Sequence, residues 1–281
     1  MQCDYEPVLD AHRETWVISW GDALYLEVEN IYKIDVVCQL PTPAFYVLWN
    51  EKTTTNMKSI TIASLFVALV SAASATPLEK RTTVAGFDIS HYQSSVDFAS
   101  AYSQGGLRFV FIKATEGTTY KDPSFSDHYT KATNAGFIRG GYHFAHGDES
   151  ASAQAEYFLA NGGGWSNDGK TLPGMLDLEG SCGSTNWVSW INEFSNTYHG
   201  KTGRWPIIYC SPSWWQECTG NSKSFANNSP LFIAHYASSV GTIPGGWSYY
   251  TFWQYADSNP YGGDSDRFNG DLTQLKKIAT G

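Results

Sequence analysis

Met175-Leu176-Asp177-Leu178-Glu179, closed by Gly180, is a short apolar run that ends in two carboxylates two positions apart. In a strand, side chains at i and i+2 share a face, about 6.6 Å apart along the chain. Asp177 and Glu179 would then project together from the end of one buried strand. Two carboxylates in one dry site do not ionise equally easily, and that asymmetry separates an acid from a base or nucleophile. Hydrolysis of a bond between sugars needs such a pair. Taken alone, the run fits a solvated strand end better, so its meaning depends on the rest of the chain.

Similar runs recur on both sides: Val84–Ile89, Phe109–Ala114, Ile138–Ala145, Pro173–Leu178, Pro206–Cys210, Leu231–Ala237 and Tyr250–Tyr255. Their near-continuous hydrophobicity suits strands buried on both faces, as in a parallel sheet. Between them, Asp122-Pro123 predicts a capped helix start that leads Phe125, Tyr129 and Ala132 along one face. Ser184 opens a second helix, whose Trp187, Trp190, Ile191, Phe194 and Tyr198 follow helical spacing and read as core. Repeated strand–helix alternation implies an α/β architecture, either an open sheet or a closed barrel. A barrel would be irregular on its later side, where Ser211–Glu217 is short and Ala237–Ser248 is Gly-rich. No G-x-G-x-x-G follows the first strand, which argues against a dinucleotide fold.

Upstream, Met57-Lys58 precedes the apolar stretch Ser59–Val70 and the small residues Ser71–Ala75. A charged start, a core too short to span a membrane and an Ala73-Ser74-Ala75 cleavage site make residues 57–75 a secretory signal peptide. Residues 76–81 end in Lys80-Arg81 and read as a pro-segment with a dibasic cleavage site. Residues 1–56 then read as a spurious or alternative upstream extension; the competing reading is a cytosolic head on a signal-anchored membrane protein. The catalytic domain is expected at 82–281.

That domain holds 12 of the 18 Lys and Arg and 17 of the 27 Asp and Glu, a net charge of −5. It has no basic run and no stacked aromatic-basic pattern, so nucleic acid is not an expected partner. After signal cleavage nothing predicts stable membrane association, and nothing suggests more than a monomer. In an oxidising compartment the three cysteines imply one bridge and one thiol. Cys210 sits in an apolar run and reads as a buried strand residue, whereas Cys182 and Cys218 lie in polar, loop-like sequence and form the better pair. Asn227-Asn228-Ser229 is a glycosylation sequon followed by Pro230, which weakens it.

Residues at the carboxyl ends of barrel strands converge on one face. Asp88 lies in the first run, and Lys113-Ala114-Thr115-Glu116-Gly117 ends the second. The third contains Gly141-Tyr142-His143-Phe144, the fourth carries Asp177 and Glu179, and Phe252-Trp253-Gln254-Tyr255 precedes Asp264-Ser265-Asp266. So many strand ends carrying acids are hard to reconcile with chance. His143 and His146 fall on opposite strand faces, and no H-E-x-x-H or G-x-S-x-G occurs. No metal or cofactor is therefore expected. Tyr142 and Trp253 are candidate sugar platforms, with a core role equally open for each.

In order and spacing, Gly86-Phe87-Asp88-Ile89-Ser90, Lys113–Gly117, Gly141–Phe144, Asp177-Leu178-Glu179, Phe252–Tyr255 and Asp266 resemble glycoside hydrolase family 25, the Chalaropsis-type lysozymes, and among them the secreted fungal members. The resemblance covers residues 84–281. It implies an irregular (β/α) TIM-like barrel, a secreted extracellular enzyme, and cleavage of the β-1,4 bond between N-acetylmuramic acid and N-acetylglucosamine in bacterial peptidoglycan. On this resemblance Glu179 is the general acid/base, Asp177 its stabilising or nucleophilic partner, and Asp88 and Asp266 the other two active-site acids. Glu116, Tyr142, His143, Trp253 and Gln254 are expected to bind substrate, and Cys182–Cys218 matches a disulfide of the fungal enzymes. A family 18 chitinase also carries a D-x-E pair on its fourth strand, but needs further acids upstream where this chain has Met175 and Pro173. A catalytically inactive carbohydrate-binding barrel is the other competing reading; such proteins usually lose a catalytic acid, and this chain keeps them all.

Overall fold

The computed structural model describes residues 82–281 and, upstream of them, the backbone of five strands within residues 4–46. The chain divides into two compact units, Met1–Pro77 and Leu78–Gly281. The first contains an antiparallel sheet of β1 (Asp4–Asp10), β2 (Arg13–Trp20), β3 (Leu24–Glu29), β4 (Ile34–Cys38) and β5 (Phe45–Tyr46), in that order. The expected signal peptide at 57–75 and pro-segment at 76–81 lie outside the described residues.

In the second unit the seven expected runs become β6 (Val84–Ile89), β7 (Phe109–Glu116), β9 (Ile138–Phe144), β10 (Met175–Leu178), β11 (Ile207–Cys210), β12 (Leu231–Ala234) and β13 (Phe252–Ala256). A short strand, β8 (Tyr120–Lys121), extends β7 as a hairpin. An eighth barrel strand, β14 (Asp264–Phe268), lies antiparallel between β13 and β6, and the β6–β7 pairing closes the ring. The sequence of β14, DSDRF, is polar and carries no local sign of a buried strand. Burial of Ser265 and Asp266 comes from their neighbours and not from their own hydropathy.

Among the described residues six α-helices accompany the barrel: α1 (Phe98–Ser103), α2 (Phe125–Ala135), α3 (Ala151–Phe158), α4 (Trp187–Thr202), α5 (Pro212–Thr219) and α6 (Leu272–Thr280). Among the described residues no α-helix joins β12 to β13 or β13 to β14, which is the irregular side expected from the Gly-rich sequence. Helix α4 carries the predicted aromatic face, with Asn186 as its cap. Asp122 does not cap α2; Ser124 holds that position. The Asp122 carboxylate instead accepts the Ser124 N–H at 2.9 Å and the His91 N–H at 3.0 Å. A partner 31 residues away, invisible to local spacing, draws it off the helix end.

Inward and outward residues alternate along each strand and build two cores. Outside the barrel, Phe87, Ile112, Leu178 and Ile208 join the core shared with the helices. Inside, Phe109, Phe111, Phe232, Phe252 and Phe268 fill the lower barrel, with Leu275 and Ala279 of α6 joining them. Gly86 makes room for this plug, since a side chain there would run into the Phe109 ring. Cys182 and Cys218 form the expected disulfide, tying the segment after β10 to α5. Cys210 is free and buried on β11, and burial pushes its thiol up.

Candidate active site

Above the phenylalanine plug the inward positions turn polar. Asp88 on β6, Lys113 and Glu116 on β7, Tyr142 on β9, Asp177 on β10, Tyr209 on β11 and Gln254 on β13 all approach the carboxyl ends of their strands, with Glu179 just beyond β10. Strand β14 runs the other way, so its first residue, Asp264, reaches the same face and pairs with Asp88. Asp266 sits one inward step deeper, opposite Gly86 and Gln254. The structure thus gathers all four expected acids, together with Glu116 and Tyr142, at one barrel mouth. Gly263 permits the approach: its φ is +70°, and a side chain there would run into the Asp88 carbonyl.

The mouth is crowded with carboxyl groups, and burial dominates their ionisation. Asp177 is 5 % exposed, and burial followed by the Glu179 charge drives its pKa well above the ordinary range. Glu179 is also raised, chiefly by burial. The two titrate as a pair that keeps a proton longer than an ordinary carboxylate. Burial, then Asp264, raises Asp88 to about 7. Asp266 is fully buried against Asp88, and burial followed by the Asp88 charge pushes it far up. Glu116 differs. Burial raises it, but hydrogen bonds from Lys113 and His146 outweigh that and hold it below the ordinary range.

Two local devices assemble this arrangement. A β-bulge between Lys113 and Thr115 shifts the phase of β7, so Lys113 and Glu116, three apart, meet at 2.6 Å in the mouth. Strict alternation would have put them on opposite faces. The buried Lys113 ammonium also lies 4.8 Å from the Phe144 ring centre, and its charge opposes the upward shifts of Asp177 and Glu179. Glu116 is held on its other side by His146 Nε2, 2.9 Å away.

The second device is Gln254. Its Oε1 accepts the hydroxyls of Tyr209 at 2.8 Å and Tyr236 at 3.0 Å, while Nε2 donates to Asp88 at 2.7 Å and Asp264 at 3.1 Å. Every hydrogen-bonding position of the amide is taken and the residue is 2 % exposed, so Gln254 positions acids rather than binding substrate directly.

His143 and Trp253, both expected to bind substrate, face away from the mouth. His143 is fully buried between barrel and helices, 2.8 Å from Thr115 Oγ1 and 2.9 Å from Gln154 Oε1, against Phe158 and Phe194. Burial lowers its pKa to about 4, so it is neutral. Trp253 alternates outward between Phe252 and Gln254, donates to the His235 carbonyl at 2.8 Å and packs on Tyr250. Strand parity, visible in the sequence, already separates both from Tyr142 and Gln254. Lys113, Asp264, Tyr209 and Tyr236 were missed as mouth residues. Tyr236 lies beyond the end of β12, where sequence gives no signal of its direction, and it presents a ring that is 54 % exposed.

The model for glycosyl hydrolases family 25 matches residues 87–264, the span from β6 to the acid that opens β14. This chain belongs to glycosyl hydrolase family 25. It is similar to the N,O-diacetylmuramidase of Chalaropsis sp, 58 % identical over 212 residues that cover 71 % of this chain and all of the relative. A second N,O-diacetylmuramidase, from Arthroderma benhamiae, is 56 % identical over 79 % of this chain and 97 % of its own length. Among solved structures, a family 25 lysozyme from Aspergillus fumigatus superposes with a TM-score of 0.70 at 54 % identity, covering 71 % of this chain and all of that one. As a family 25 enzyme the chain is a glycoside hydrolase.

Proposed function

We infer that the protein is a secreted lysozyme that hydrolyses the β-1,4 bond between N-acetylmuramic acid and N-acetylglucosamine in bacterial peptidoglycan. The carrying observation is the pair itself: Asp177 on β10 and Glu179 just beyond it, one inward step apart at a mouth that also gathers Asp88 and Asp264, with both members of the pair raised by burial. The Asp177 carboxylate is placed to accept the N–H of a substrate acetamido group. The muramidase relatives supply the substrate class.

Glu179, the less buried of the pair, is the general acid/base. In the free enzyme the deeper Asp177 is the stronger seat for the shared proton. A substrate N–H bonded to Asp177 favours its charged form and leaves the proton to Glu179. Glu179 then protonates the leaving glycosidic oxygen as the C1–O bond breaks. The acetamido oxygen attacks C1, and Asp177 stabilises the resulting cation. Water opens that ring at C1 with Glu179 as base, so the configuration is retained. Asp88 and Asp264 line the remaining wall with Asp266 buried beneath them, Glu116 and Tyr142 contact the sugar, and Gln254 holds Asp88 and Asp264 in place.

Glu179→Gln is expected to abolish lysis of bacterial walls, a loss of at least about 10²-fold, while the melting curve stays close to wild type. New reducing ends released from purified peptidoglycan, measured beside chitin, provide the readout. Near-normal release by the variant, or release from chitin alone by wild type, would overturn the assignment.

A further inference from the structure

The proposed acid and its partner are held in different ways. Asp177 lies inside the sheet: it pairs with Phe144 of β9 and Tyr209 of β11, and its carbonyl accepts the Ala145 N–H at 3.0 Å. Glu179 stands one residue past the point where the ladder with β11 stops. From there to α4 the chain leaves the sheet. Gly180, Ser181, Gly183 and Ser184 are exposed, and both glycines have left-handed backbone, φ +77° and +54°, with no neighbour against them.

Among the described residues, two hydrogen bonds tie this segment to other elements. Trp187 Nε1 of α4 donates to the Cys182 carbonyl at 2.8 Å, and Thr185 Oγ1 donates to the Gly147 carbonyl at 2.9 Å. The third tie is covalent, the bond between Cys182 and Cys218. Two of the three ties therefore meet at Cys182, three residues past Glu179. On the far side, Cys218 sits in the last turn of α5, a helix fixed by the buried Trp214 and Trp215 and capped by Ser211, whose hydroxyl accepts the Trp214 N–H at 3.1 Å. Both cysteines are half-buried, within reach of a small reductant, whereas Cys210 is fully buried.

We propose that Cys182 and Cys218 are positioning residues for the reaction: their bond fixes the segment that presents Glu179 to the mouth, and opening it slows the acid step while the barrel and Asp177 stay in place. The inference rests on Glu179 as the general acid. Dithiothreitol opens the bond by supplying two electrons and two protons: it closes to its own cyclic disulfide, and Cys182 and Cys218 become thiols. The Trp187 hydrogen bond then remains, so Glu179 still visits its place but is no longer held there. Displacing a reacting group by 1 Å costs on the order of 10²-fold, and a loosened group that still returns is expected to cost about tenfold.

The test compares leaving groups, using the full chain. A general acid matters for a sugar oxygen, which leaves as a strong base, and hardly at all for 2,4-dinitrophenolate, which leaves unaided. First-turnover cleavage of the soluble tetrasaccharide of alternating N-acetylglucosamine and N-acetylmuramic acid is measured beside that of the 2,4-dinitrophenyl glycoside of the disaccharide. The double variant Cys182→Ser, Cys218→Ser should lose about tenfold on the tetrasaccharide and less than about twofold on the aryl glycoside. Wild type treated with dithiothreitol should show the same selectivity, keep a cooperative melting transition and recover on reoxidation, and this arm decides the matter if the double variant does not fold. Equal losses on both substrates, no loss on either, or loss of cooperative melting on reduction would overturn the positioning role. Wild type that fails to cleave the tetrasaccharide, or Glu179→Gln that cleaves it normally, would overturn the proposed reaction instead.

Discussion

The floor and the mouth of this barrel are built on the same strands, one inward step apart, yet they follow opposite rules. On β6 the inward series runs Val84, Gly86, Asp88; on β10 it runs Met175, Asp177 and then Glu179; on β13, Phe252 gives way to Gln254. Below, Phe252 touches four other phenylalanines at ring-centre distances of 5.2–5.4 Å. Above, the half-buried Asp88 and the buried Asp177 and Asp266 are carboxyl groups whose ionisation the fold resists. The floor supplies stability; the mouth costs stability and supplies chemistry. A barrel lets both exist because the first core holds the strands in register for the second.

The largest expected effect that separates the two is in the floor. Phe252→Ala should destabilise the protein by about 3–5 kcal/mol, through lost burial and the cavity left among four rings. Urea unfolding measures this, and activity per folded molecule should change little. A cost under about 1 kcal/mol would show that the plug is not the stabilising core.

In the mouth the sign reverses. Asp88 is raised from 3.8 to about 7, so between those values the unfolded chain gives up its proton while the folded one keeps it. Its contribution therefore falls as pH rises from about 4 to 7 and levels off above. Asp88→Asn removes that loss and should stabilise the protein at pH 7 by on the order of 3 kcal/mol, with the gain fading towards pH 4. Melting curves across this range, beside wall lysis, check both halves: higher stability with lost activity. A destabilised variant at pH 7 would mean that the Asp88 charge is compensated better than its burial indicates.

Tyr236→Phe should have the smallest effect. It removes one hydroxyl from Gln254 but leaves the ring, Tyr209 and both carboxylate contacts. Stability should change by about 1 kcal/mol or less, with a slight fall in kcat/KM. A loss as large as that of Glu179→Gln would make the phenol a participant in the reaction.

The seven apolar strands, the pairing of Cys182 with Cys218 and the acids at the strand ends were all legible in the sequence. Their signals are local: continuous hydrophobicity, polar context, an i, i+2 spacing. The same locality explains what was missed. The strand β14 is polar in itself and buried only by β6 and β13. Lys113 joins Glu116 because a bulge adds one residue to β7, and Asp122 leaves its helix for His91. His143 and Trp253 were chosen for their chemistry, although period-two parity turns both outward.

By itself, then, the sequence determined that strands alternate with helices, that several strand ends carry carboxyl groups, and which cysteines pair. Periodicity and residue type need only neighbours along the chain. Only the tertiary structure decided which acids share a mouth and that Gln254 is fully occupied in holding two of them. Those are contacts between strands far apart in sequence, fixed by closure of the barrel, and their electrostatics follow from the burial that closure imposes.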